Sequence, residues 1–214
     1  MKKLSLIAIL SLSGLALLST RAADSSPTDL GQVIQSAPTD ISTTLRRTGA
    51  GLFGVPRPPD GTHTGVDICA IASTSNKNDY RVMAVSAGRI AYATLNGNGT
   101  DSFGYTIVID HDNGWYTLYG HFAQNATKAL SIKIGDTVTA GQVIGYMADL
   151  ANNDLSSGNV VAESVKSSDK IQVHFEIFQA PAGISSSGAL APFKTSRTLA
   201  NPTSRLIALH YDSQ

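Results

Sequence analysis

The sequence is short of the features that usually fix a fold or a partner. It holds one cysteine, Cys69, in 214 residues. No internal disulfide is available, so stability outside the cytosol has to come from core packing. Cys69 stands among Ile68, Ala70 and Ile71. That apolar setting suits a buried structural thiol better than a nucleophile, which needs an electropositive, accessible environment. It also lies far from any lipid-attachment position behind the N-terminal apolar run. Neither sign of charge dominates, with 16 basic and 16 acidic residues. Nothing in that balance favours nucleic acid or an anionic membrane surface as partner. After residue 50 there is no amphipathic helical pattern and no internal repeat, which leaves helical and solenoid architectures without support.

Long hydrophobic runs are scarce too. One extends from Leu4 to Leu18, behind Lys2 and Lys3 and ahead of small residues. This three-part pattern predicts a secretory signal over residues 1–23, too short and poorly flanked for a stable span, so no membrane span is expected after its removal. Cleavage after Ala22 or Ala23 removes Lys2, Lys3 and Arg21 and leaves a mature chain of roughly −3.

What is present reads as β-structure. Residues 24–50 are polar and predict a leader or linker, with at most one short helix around "DLGQVIQSA". From residue 51 to 206 short β-like runs alternate with Gly, Asn and Asp, and 207–214 is a C-terminal tail. "RVMAVSAGRIAYATL" is broken at Gly88. "GYTIVIDHDNGWYTLYGHF" predicts a hairpin turning at Asp112-Asn113-Gly114. "SIKIGDTVTAGQVIGYM" predicts a second, turning at Gly135-Asp136. "KIQVHFEIF" alternates cleanly, with Val173, Phe175 and Ile177 on one face and Gln172, His174 and Glu176 on the other. The class is all-β. A polar stretch, 148–170, interrupts it, and a loop of that length inside a domain is usually functional or mobile.

Five histidines carry the chemistry to be weighed. His210, near the C-terminus, predicts a surface residue, and His111, beside a turn, a structural or rim role. His121 closes "WYTLYGHF" and shares a face with Thr117 and Tyr119 if that strand stays regular. His174 lies on the polar face of its strand. His63 and Asp67 stand four apart in "GTHTGVDICA". Thr-Gly-Val is a poor helix interior, and a flat strand would separate the two by roughly 13 Å. The segment must bend for them to meet, and Gly65 makes a bend cheap. His, Asp and His suit zinc, and three protein ligands with one open position is the catalytic arrangement. The His63–Asp67 spacing alone is a weak motif.

As a group, several segments resemble the lysostaphin and LytM-type zinc endopeptidases, the family that includes the β-lytic metalloproteases. "LFGVPRPPDGTHTGVDI" resembles the entry segment with its His-x-x-x-Asp pair, and "AVSAGRIAYA" the strand pair that follows. "FGYTIVIDHDNGWYTLYGHF" resembles the long hairpin ending in a catalytic histidine. "IKIGDTVTAGQVIGYM", "VHFEIF" and "NPTSRL" resemble the later turn, the last ligand strand and the closing element. The resemblance implies compact antiparallel β-sheets around a narrow groove, of the duplicated hybrid motif type. It also implies one Zn2+ per chain and peptidoglycan peptides as substrate. His63, Asp67 and His174 match the zinc ligands, and His121 matches a histidine that flanks the attacking water and takes part in proton transfer.

One position departs from the family pattern. The family's last motif is His-x-His, whereas this chain has Gln172-Val173-His174. Glutamine can donate or accept a hydrogen bond and hold an oxyanion, but it cannot act as general acid or base near pH 7. Glu176, on the same face, is a candidate partner behind a ligand histidine, or a solvated surface glutamate. The family's short glycine-rich approach to this motif is replaced here by 148–170. Two readings follow. One is a zinc endopeptidase with altered proton chemistry at Gln172. The other is a zinc-containing relative that binds wall peptides or activates a partner hydrolase. A third, a lipoyl- or biotinyl-carrier hairpin, lacks a lysine at Gly135-Asp136. The signal pattern, with no recognisable wall-binding module, fits the periplasm better than the outside medium.

Overall fold

The computed structural model describes residues 38–39, 43–45, 51–57, 61–70, 81–96, 103–149, 171–180, 183–184, 197–208 and 212–213. The segment 1–23, the helix expected around 29–37, residues 150–170 and His210 lie outside the described residues. Among the described residues no helix is long and apolar enough to cross a membrane.

The chain is all-β. Its strands are β1 (Thr43–Leu45), β2 (Val66–Ala70), β3 (Arg81–Met83), β4 (Gly88–Asn96), β5 (Gly104–Asp110) and β6 (Trp115–Phe122). There follow β7 (Thr137–Val138), β8 (Val143–Tyr146), β9 (Ala148–Asp149), β10 (Ile171–Gln179), β11 (Thr198–Ala200) and β12 (Asp212–Ser213). Two short helices, α1 (Gln124–Lys128) and α2 (Thr203–Ala208), complete the described elements. Ten strands form one sheet in the order β12-β1-β2-β10-β6-β5-β4-β7, with β9 and β11 also on β10, while β3 and β8 pair separately. All pairings are antiparallel except β1 with β12. Strand β1 falls within the stretch expected as a leader and pairs with β2, and Thr39 bridges Val82.

The β5–β6 hairpin turns where Asp112-Asn113-Gly114 predicts. Asp112 and Gly114 take φ of 58° and 83°, and Asp110 and Asn113 side chains accept from the backbone N–H of Asp112 and Trp115. The second predicted hairpin is not one. Gly135 N–H donates to Ile90 O and Asp136 O accepts from Ile90 N–H, which ties the turn to β4. Strand β7 then pairs with β4, but β8 crosses to β3 in the other sheet. Alternation within the segment carries no information about which sheet each half joins.

Strand β10 is the centre of the molecule. Val173, Phe175 and Ile177 join Val66, Ile68, Tyr119, Phe122 and others in the larger core cluster. The opposite face is also covered. Phe178 packs there with Tyr92, Phe103, Val108, Tyr116 and Leu118. Gln172, His174 and Glu176 on this face are therefore buried polar groups rather than a solvated stripe, and each needs a partner.

Strand β6 does not stay regular. Its pairing with β5 slips between Tyr105–Phe122 and Ile107–Tyr119, so two β6 residues, Gly120 and His121, oppose one on β5. His121 sits there with φ of 62°, and its N–H donates to Phe103 O at 2.6 Å. Such a bulge re-aims a side chain. Tyr119 and Phe122 both face the larger core, and His121 turns to the face of His174 instead of sharing the Tyr119 face.

Candidate metal centre

Strand β2 lies beside β10 with Asp67 opposite His174 and Cys69 opposite Gln172. His63 arrives from the bend ahead of β2. Gly65 is required there for room, not for an unusual backbone angle. A Cβ on it would lie 2.3 Å from Phe175 O and 2.9 Å from His174 Nε2. The bend thus presses directly on the strand that carries His174.

Three atoms converge as a result. His63 Nε2 is 3.0 Å from His174 Nδ1 and 3.3 Å from Asp67 Oδ1, and His174 Nδ1 is 3.2 Å from Asp67 Oδ1. All three residues are buried. Ligand atoms about 2.0–2.1 Å from a tetrahedral zinc stand roughly 3.3–3.4 Å apart, so the triangle is close to the size that ion requires. No other cluster of three such groups occurs among the described residues.

The far side of each imidazole is occupied too. His63 Nδ1–H donates to Leu52 O at 2.9 Å, and His174 Nε2–H donates to Glu176 Oε1 at 3.0 Å. Both partners are acceptors, so each ring, while neutral, keeps its proton there and turns a lone pair inward. Two lone pairs and a carboxylate oxygen facing one another at these distances repel unless a cation, or a proton, lies between them. Asp67 Oδ2 accepts from Arg57 Nη2 at 3.0 Å. Burial by itself would raise the Asp67 pKa, but hydrogen bonds and positive charge from His174 and His63 hold it well below the usual carboxylate range. In the metal-free chain burial opposes charge on His174, yet Asp67 and Glu176 outweigh it and raise its pKa.

Glu176 is not a solvated glutamate. It is wholly buried and accepts from His174, Thr64 and Arg197. Phe103 stacks on the His174 ring at 4.8 Å between centroids. His121 meets the same ring edge-on at 6.0 Å, and its Nδ1 is buried with no hydrogen-bond partner. Burial first, then the charge of His174, pushes the His121 pKa down to about 4, so its ring is uncharged at neutral pH. Gln172 is buried, and the Cys69 thiol donates to its Oε1 at 3.6 Å. His111 lies apart from this cluster, with Nδ1 against Ala87 O and Nε2 against Thr117 Oγ1. Reading the sequence missed Arg57, Arg197 and Phe103, for which neither spacing nor periodicity offers a signal.

The sheet thus gathers His63, from the bend ahead of β2, with Asp67 on β2 and His174 on the neighbouring β10. Residues 61–185 match the model described as "Peptidase family M23", and the chain belongs to that family. It is 27% identical over 169 residues to the cell division protein DipM of Caulobacter vibrioides, covering 79% of this chain and 22% of that protein. It is 29% identical over 96 residues to the outer membrane antigenic lipoprotein B of Histophilus somni, covering 45% of this chain and 24% of that one. The chain thus spans about a quarter or less of these relatives' length. The catalytic domain of lysostaphin from Staphylococcus simulans is similar in structure, with 22% identity, 74% of this chain and 90% of that chain covered, and a TM-score of 0.42.

Proposed function

We propose that this protein is a zinc-dependent endopeptidase that hydrolyses peptide stems or cross-links of bacterial peptidoglycan, exported and acting in the periplasm. The observation that carries this reading is the inward convergence of two imidazole nitrogens and the Asp67 oxygen. We assign the catalytic unit to residues 51–206, with β1 and β12 extending the edge of its sheet.

His63, Asp67 and His174 hold the ion. Zinc bound there supplies a Lewis acid that polarises a peptide carbonyl and acidifies water. His121, uncharged and with a buried Nδ1 unpartnered, accepts and returns a proton beside the reacting carbonyl. Its left-handed backbone costs on the order of 1–2 kcal/mol, and strain of this kind gathers at functional sites. Gln172 donates an amide N–H to the substrate oxygen and moves no proton.

One observation favours a second reading. The Gln172 carbonyl is already engaged by the Cys69 thiol, which suits a zinc-containing relative that binds wall peptides or activates a partner hydrolase. Muropeptide digestion separates the two. The hydrolase reading expects soluble fragments from wild type, none from His63→Ala, and a large loss with His121→Ala. Silence from zinc-loaded wild type, with release appearing in Gln172→His, establishes the second reading.

A further inference from the structure

Burying an ion pair is costly, and such a pair by itself adds little to stability. A guanidinium and a carboxylate sunk together behind a ligand histidine therefore need another reason to be there. The side chains of Arg197 and Glu176 are 1% and 0% exposed. Glu176 Oε1 takes the His174 Nε2–H at 3.0 Å, the Thr64 hydroxyl and Arg197 Nη2 at 3.2 Å, while Arg197 Nη1 donates to Oε2. Arg197 stands immediately before β11, 21 positions beyond Glu176, and its guanidinium lies 5.1 Å from the centre of the Phe178 ring. Its Nε is buried without a partner. The guanidinium is thus turned wholly toward one carboxylate.

We propose that Arg197 is a positioning residue for the metal centre, clamping both oxygens of Glu176 so that the carboxylate fixes the His174 tautomer and aims Nδ1 at the ion. A lone carboxylate behind a ligand imidazole has freedom to rotate. A two-pronged guanidinium removes it, which a point charge on a flexible stem does not do as well. The chain from β11 to the ion then runs Arg197, Glu176, His174. The inference rests on the reading that His63, Asp67 and His174 hold zinc, and extends it to a residue that touches neither the ion nor any of its three ligands.

Zinc affinity, measured by titrating metal-stripped protein against a competing chelator, tests it with no need of substrate. Arg197→Met is expected to weaken zinc roughly 10- to 100-fold, the usual range for partners of metal-ligating histidines, and Arg197→Lys by less. In a Glu176→Gln background Arg197→Met should add little, because the arginine acts through that carboxylate. Imidazole 15N shifts of the metal-free protein, taken at a pH alkaline enough for the His174 ring to be neutral, should show it protonated at Nε2 in wild type and a tautomer mixture in Arg197→Lys, the variant expected to fold if Arg197→Met does not. Unchanged zinc affinity in both arginine variants overturns the proposal and leaves the metal site intact. So does an equal loss with and without Glu176. Wild type that binds no zinc overturns the metal-site reading and the proposal with it.

Discussion

Two buried histidines, His111 and His174, show what distinguishes a satisfied core imidazole from a candidate ligand. Both have both ring nitrogens occupied. At His111 the partners are a carbonyl, Ala87 O at 2.8 Å, and a hydroxyl, Thr117 Oγ1 at 2.9 Å. Thr117 and Tyr119 hydroxyls lie 3.3 Å apart, and the Tyr119 oxygen accepts from Val85 N–H, so the network closes within the protein. At His174 one nitrogen is equally satisfied by Glu176. The other faces only groups that, like itself, can bind a cation: a second imidazole nitrogen and a carboxylate oxygen. Burial is common to both rings. The identity of the atoms on the inner side is what separates structure from chemistry.

The sharpest break in this comparison comes from removing a ligand. His63→Ala should abolish stoichiometric zinc by metal analysis, whereas His111→Leu should leave zinc content and affinity as in wild type. Stripping zinc from wild type should lower Tm by mass action, since an ion at 1,000 times its Kd contributes about 4 kcal/mol. Zinc loss on His111→Leu, or none on His63→Ala, would erase the distinction.

Gly65→Ala should come next. A Cβ within 2.3 Å of Phe175 O forces the bend off β10, at roughly 1–3 kcal/mol by denaturant unfolding. Zinc affinity should fall as well, because the displaced segment carries His63. His111→Leu should cost about 1–3 kcal/mol of stability by removing the donor to Ala87 O and leaving the Thr117 hydroxyl with Tyr119 alone.

The smallest effect is a pH slope. Burial outweighs the hydrogen bond to Ala87 O and the Asp110 and Asp112 charges, and pushes the His111 pKa below its ordinary value. The unfolded chain then binds a proton more readily than the folded one. The stability this contributes is complete above about pH 6.5 and is lost as pH falls toward the lower folded value. Tm measured from pH 7.5 to 5 should fall less steeply for His111→Gln than for wild type, both loaded with zinc.

Much of this was legible in the residues because it is local. Alternation along "KIQVHFEIF" separates the two faces of β10, and Asp112-Asn113-Gly114 announces its turn. The resemblance drew His63, Asp67 and His174 together, and the structure brings one ligand atom of each within 3.0–3.3 Å of the others. What stayed hidden depends on contacts between distant segments. The bulge that turns His121 toward His174 leaves no mark on a period-2 pattern. Nothing near Arg197 signals that it will reach Glu176, and burial of Glu176 follows from what packs over β10, not from its neighbours in sequence. Gly65 was legible as a bend but not as a space that must stay empty.

Strand β10 has one further consequence. Val173, Phe175 and Ile177 build the larger core, and Gln172, His174 and Glu176 the buried polar face of the candidate metal centre, so sliding the strand by a single residue exchanges the two sets. A misthreaded chain would bury Gln172, His174 and Glu176 in oil and offer an ion only hydrocarbon. With zinc held there as proposed, its uptake during refolding would serve as an assay of correct threading, reporting the fraction of molecules in which this strand found its place.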